Sequence, residues 1–198
     1  MKKILGLFIA LSFTVIACNN SAKDSVEKAD SSNEAKTDST NIKRDSSNKN
    51  GALGLDESTA SFLVNVADVG MTEVELGRLA QDNASSKRVK EFARMMVMDH
   101  SKGNDELKTL AANKNVTLPK SIGEEHQKKI DDLKKKTGKD FDRAYMDMME
   151  DGHESTVKDF EGKTDNSDAD VKAFVNKMLP TLRMHLDSAK AIKKAITQ

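Results

Sequence analysis

A chain of 198 residues with one cysteine, no tryptophan and 4% aromatic side chains cannot close a structural disulfide within itself and offers little material for a twisted sheet. Ten methionines, many aliphatic residues and 32% charge suit packed helices, so the composition points to an all-α fold. Formal net charge is zero, and basic runs such as Lys134 to Lys136 are short and flanked by Asp131, Asp132 and Asp140, so no nucleic-acid partner is expected.

Met1 to Ala17 begins with Lys2 and Lys3 and continues as an apolar run from Ile4 to Ile16. That run is shorter than the roughly 20 residues a membrane-spanning helix needs. Val15-Ile16-Ala17-Cys18 resembles the lipobox of bacterial lipoproteins. The resemblance implies cleavage before Cys18 and a diacylglycerol on that residue. Residues 1–17 are therefore expected to be a lipoprotein signal peptide. The mature protein is expected to sit in the cell envelope, lipid-anchored at the outer membrane and facing the periplasm or the surface, since each buried CH₂ contributes about 0.8 kcal/mol. Residues 18–55 hold Cys18 and a segment that from Asn19 to Asn50 is mostly Ser, Asn, Asp and Lys, with scattered Val26 and Ile42. Such a segment buries too little to offset its chain entropy and is expected to be a disordered tether, reaching about 30 to 35 Å.

Residues 56–198 carry helical periodicity throughout. Asp56, with Ser58 or Thr59 as alternatives, can cap a first bundle helix running to about Asp82. Phe62, Val66, Val69, Glu73, Leu76 and Ala80 recur at spacings of four and three and form its buried seam, while Ser61, Asn65, Asp68, Thr72 and Glu75 fall on its polar face. Gly70 and Gly77 beside the seam permit a close helix approach. A second helix is expected from Ser85 or Ser86 to Asn113, ended by Asn115 and Pro119, with Val89, Ala93, Met96, His100, Gly103, Leu107 and Leu110 inward. Its pattern Phe92, Met95, Met96, His100 returns as Tyr145, Met148, Met149, His153 on a third helix, from Asp140 to Glu161 or Gly162. Between them lies a connector in which Ser121 can cap a short helix through Lys136 that Gly138 ends. His126, among charges there, is expected to be exposed. A turn at residues 164–168 leads to a fourth helix with Val171, Val175, Met178, Leu182, His185, Ala189 and Ile192 inward and a kink at Pro180.

Each bundle helix thus places one residue of metal-ligand type on its buried stripe: Glu73, His100, His153 and His185. If the connector crosses the whole bundle, the second and third helices run parallel, and residues 53 apart lie level. His100 then meets His153, and Met96 meets Met149. Turns centred near residues 84 and 165 put Glu73 and His185 in another layer, about 7 to 12 Å away. Glu73 with His185 is expected to be a buried hydrogen-bonded pair, since a buried carboxylate must find a partner or a proton. His100 and His153, with Met96, Met149 and Glu150, are the candidate ligands of a single transition metal. Imidazole and thioether together suit copper, with zinc or iron as alternatives, and methionine filling a core is the competing account. Asp99 and Asp151 are expected to face solvent, with service as extra ligands the lesser alternative.

The stretches FLVNVADVGMTEVELGRLA, VKEFARMMVMDH, FDRAYMDMMEDGH and MLPTLRMHLDSAK together resemble the bacterial envelope family called domain of unknown function 4142, over about Asp56 to Ala191. The resemblance implies a ferritin-like four-helix bundle, with a short extra helix in the crossover, and an outer-membrane or secreted location. A ferritin-type di-iron centre takes a Glu from two helices and Glu-x-x-His from the other two. Glu150 and His153 have that spacing, but Val97 and Leu182 stand where His100 and His185 would need the glutamate, so a di-iron centre is not expected. No hydrolase triad, phosphate-binding loop or two-cysteine zinc motif is present. The expectation is an envelope lipoprotein, not an enzyme, whose bundle binds a metal ion or a partner. The alternatives are a structural or stress-related envelope protein without ligand, and a metal-dependent envelope enzyme.

Overall fold

A computed structural model describes residues 24–41 and 55–198; the expected signal peptide and Cys18 lie outside the described residues. Six helices occur there and no strand: α1 (Ser25–Asn41), α2 (Glu57–Asn83), α3 (Lys87–Asn113), α4 (Glu124–Lys134), α5 (Gly138–Glu161) and α6 (Ala169–Thr197). None of them is long and apolar enough to cross a membrane.

The ends of the helices follow local chemistry at two places and distant chemistry at a third. The Asp56 carboxylate accepts the Thr59 backbone N–H at 2.9 Å, and Asp168 accepts those of Asp170 and Val171 at 3.0 Å, so α2 and α6 start on their own caps. The serines expected to cap α3 do not. Asp142, from α5, accepts the Ser85 N–H at 2.9 Å and the Ser86 N–H at 2.8 Å. The connector helix starts after Gly123 rather than at Ser121 and ends two residues before Lys136. Gly138 does not terminate it; with φ of +59° it opens α5, turning the chain through the left-handed region that glycine adopts freely. The fourth bundle helix continues through Pro180 to Thr197.

Pairs in contact give the helix directions. Phe92 meets Tyr145 and His100 meets His153, with ring centroids 6.3 and 5.5 Å apart; the constant offset of 53 makes α3 and α5 parallel. Gly70 against Asn104 and Gly77 against Val97 make α2 and α3 antiparallel. A Cβ on Gly77 would stand 2.8 Å from a Val97 methyl, so the close approach expected there is real. Phe160 against Phe174 and His153 against His185 make α5 and α6 antiparallel. This is a ferritin-like four-helix bundle, with α4 in the crossover.

The core has two apolar halves. One gathers Phe62, Leu63, Leu107, Phe160, Val175 and Leu182; the other gathers Leu76, Phe92, Met96, Phe141, Tyr145 and Met149. Between them runs a polar layer.

Two expectations about the periphery fail. Part of the segment expected to be a disordered tether is helix α1, which lies against α2 and the connector. It docks through polar groups: Asn33 donates to the Thr117 carbonyl at 2.9 Å and accepts its N–H at 2.8 Å, and Lys36 reaches the Asn115 carbonyl at 2.7 Å. Apolar periodicity cannot reveal such a helix. Asp68 and Thr72, assigned to the polar face of α2, are buried, and His126 is half-buried instead of exposed, because its Nδ1 sits 2.6 Å from an Asp68 carboxylate oxygen beneath α4.

Candidate metal centre

The polar layer draws one residue from each bundle helix: Glu73 from α2, His100 from α3, His153 from α5 and His185 from α6, with 4, 6, 0 and 0% of their surface exposed. The pairing differs from the expected one. Glu73 faces His100 and His153, not His185: one carboxylate oxygen lies 2.9 Å from His100 Nδ1, at ion-pair distance but with the N–H not aligned on it, and the other lies 3.4 Å from His153 Nδ1. His185 Nε2 is 3.0 Å from an Asp99 carboxylate oxygen. Asp99, expected in solvent, is therefore part of the assembly, and only Asp151 of that pair is exposed.

The two expected layers are one. The His185 ring centroid lies 5.2 Å from that of His100 and 5.3 Å from that of His153. A turn symmetric about residue 165 would set residue 177 opposite His153, and His185 stands eight positions beyond it. The linker 162–168 thus carries the chain about 12 Å along the bundle axis before α6 starts.

Every ring in this layer has one nitrogen engaged and one without a partner. His100 Nδ1 faces Glu73, His153 Nδ1 donates to the Met149 carbonyl at 2.8 Å, and His185 Nε2 bonds Asp99. His100 Nε2, His153 Nε2 and His185 Nδ1 are buried with no hydrogen-bond partner. One ligand nitrogen from each of the three histidines lies within 4.8 Å of the other two.

The electrostatics favour neutral imidazoles at two of the three positions. Burial pushes the His153 ring down, and it pushes His185 down to about 4 against the pull of its Asp99 bond. Burial opposes charge on His100 as well, but the adjacent Glu73 carboxylate outweighs it and raises that ring above the ordinary histidine value. Burial would likewise raise Glu73, yet His100 and His153 hold it at about 2. The layer is a buried carboxylate paired with one protonatable ring, next to two rings kept as lone-pair donors.

Of the remaining candidates, Met96 and Met149 stand one turn before His100 and His153 and are buried in the same half of the core. Glu150 is turned away, 2.9 Å from Lys193, which also binds Asp147 at 2.7 Å. Its Glu-x-x-His spacing places it on the outer side of α5, and it is not among the converging groups. From sequence, Asp99 is expected to face solvent, with only a lesser role as an extra ligand, and Tyr145 is not brought to the layer. Asp99 precedes His100 directly, and the Asp-His dipeptide is its only signal. Tyr145 stands in the sequence as an aromatic counterpart of Phe92, but its hydroxyl is buried without a partner, and burial pushes the phenol well up.

A groove of about 400 Å³ opens between α2, α4 and α5, and Glu73 and Met149 form part of its wall.

A family model described as a domain of unknown function, DUF4142, matches residues 44–192. The chain belongs to the DUF4142 family. Among curated proteins none matches it. Two solved structures are similar to this DUF4142 bundle. A DUF305 fragment from Deinococcus radiodurans has 11% identity and a TM-score of 0.62, over 69% of this chain and 95% of that one. A protein named CopM, in its Cu(II)-bound form, has 17% identity and a TM-score of 0.59, over 69% and 96%. At such identities the likeness shows the fold alone.

Proposed function

We propose that this DUF4142 protein binds one copper ion inside its bundle, on His100, His153 and His185, and serves as a copper-handling lipoprotein of the cell envelope, not as an enzyme. The observation that carries the reading is one buried layer in which each of three imidazoles leaves a nitrogen without a partner and one ligand nitrogen from each ring lies within 4.8 Å of the other two. Buried polar atoms in folded proteins nearly always have partners, so three orphans in one place point to a group that completes them. Their other nitrogens are held by a carboxylate, a backbone carbonyl and a second carboxylate, the outer arrangement that fixes the tautomer and aims a metal-binding histidine.

Three imidazoles alone suit copper, zinc, iron or nickel. The buried thioethers of Met96 and Met149 one turn away, and a converging set made of nitrogen donors without a carboxylate, shift the preference toward copper. The similarity in fold to a protein described with Cu(II) bound supports the same choice. The envelope location is supported by the lipobox-like run before Cys18, and the anchor would hold the protein on the membrane through acyl chains.

The test is elemental mass spectrometry of the full-length chain prepared without chelators and then exposed to copper. The expected result is one copper per chain, lost in His100→Ala, His153→Ala and His185→Ala while helical circular dichroism is retained. A protein that stays copper-free after exposure to both Cu(II) and Cu(I) overturns the reading and leaves the histidines as core hydrogen-bonding groups. One zinc or iron per chain in place of copper would overturn the choice of metal.

A further inference from the structure

Four glycines lie inside the bundle helices beyond the capping positions, and at three of them an added Cβ would meet a neighbouring side chain. A Cβ on Gly70 would collide with the Asn104 side chain, and one on Gly77 or Gly103 would stand 2.8 Å from Val97 Cγ2 or Met178 Cε, respectively. Gly152 is different. It sits inside α5, where glycine weakens a helix relative to alanine, and a Cβ there would meet nothing within 4 Å. No neighbour requires its smallness.

What Gly152 does border is the groove between α2, α4 and α5. Its lining changes character with depth. Asp151 and Asp159 are exposed carboxylates at the mouth, Thr156 lies half-buried, and Glu73 and Met149, each under 5% exposed, form the floor. Glu73 in turn touches His100 and His153. The basic groups on the opposite wall are already neutralised: Lys129 pairs with Glu125 at 2.8 Å and His126 with Asp68 at 2.6 Å. The groove therefore offers a cation oxygen ligands from its mouth to its floor, and the floor residue borders the Nδ1 atoms of His100 and His153.

We propose that this groove is the passage by which the metal ion reaches and leaves the layer of the three histidines. The proposal rests on the copper site argued above.

The experiment is stopped-flow uptake of Cu(II) by the copper-free full-length chain, with release measured by transfer to excess chelator. Gly152→Trp fills the groove from its wall and is expected to slow both rates tenfold or more, with the copper held at equilibrium unchanged. Gly152→Ala is expected to raise the melting temperature by about 3 °C and leave the rates within twofold, because a methyl group fits the open space. A Gly152→Trp protein that is folded by circular dichroism and loads at the native rate overturns the proposal. If that variant does not fold, Thr156→Phe from the same wall decides by the same criterion. A native chain that takes up no copper defeats the copper reading itself, whereas normal binding with unaltered rates in the blocked variants defeats only the passage.

Discussion

Two buried assemblies of carboxylate and imidazole lie on α2, little more than one turn apart, and they differ in what is left over. At the first, Asp68 accepts the Gly123 N–H at 2.7 Å and binds His126 at 2.6 Å, and none of the buried polar atoms of the pair lacks a partner. At the second, Glu73 and Asp99 hold two of three histidines, and a nitrogen of every ring remains unpartnered. An orphaned buried polar atom costs about 1 to 3 kcal/mol, so three together oppose stability. The difference separates a brace from a candidate site. Asp68 and His126 fasten the connector to α2, while the bundle layer keeps unused bonding capacity on its three rings.

The contrast can be broken most sharply by exchanging the readouts. His100→Ala, His153→Ala or His185→Ala should each reduce bound copper from one per chain to none by elemental analysis, whereas His126→Ala should leave it at one. Asp99→Asn, which spares all three rings, should weaken copper binding by about 10- to 100-fold in a competition titration with a chelator, because the aim and basicity of His185 depend on that carboxylate. Asp68→Asn should do the reverse: copper affinity unchanged, and a loss of about 2 to 3 kcal/mol in urea denaturation from weakening two bonds to a charged acceptor.

Acid sharpens this third comparison. Burial opposes the Asp68 charge, but the bonds from His126 and Gly123 prevail and hold its carboxyl below the ordinary value of 3.8. A carboxyl with a lowered folded pKa contributes stability that is present above the unfolded value and is lost as pH falls through the folded one. The stabilities of the native chain and the Asp68→Asn variant should therefore converge below about pH 3.8. The smallest effect concerns a brace with no histidine. Asp142→Ala should cost about 1 kcal/mol, since it frees the two N–H groups before α3, and should not alter copper binding.

Much of this was legible in the sequence, and for definite reasons. The four-and-three spacing around Glu73, His100, His153 and His185 put each of them on a buried stripe, and burial of a whole stripe is a property of one helix at a time. The constant offset of 53 between two similar helices foretold that Phe92 meets Tyr145 and His100 meets His153. What failed depends on distances that no single helix encodes. The rise of the linker 162–168 moved His185 into the layer of His100, which dissolved the expected pair with Glu73. Asp142 caps a helix far earlier in the chain, and no local pattern announces that. Helix α1 carries almost no apolar signal, since Asn33 and Lys36 dock it through hydrogen bonds. Glu150 shows the opposite error: a correct spacing to His153 on the wrong side of α5.

The polar layer between the two apolar halves also acts on the way the bundle is assembled. Apolar faces are permissive about sliding, because leucine and methionine pack nearly as well one turn up or down. A displacement of any of the four helices by one turn, about 5.4 Å, would set Glu73 or a histidine against hydrocarbon and place a leucine or methionine among the remaining rings. Only one alignment lets the carboxylate meet His100 and His153 while Asp99 meets His185. The layer is an alignment key for the four helices.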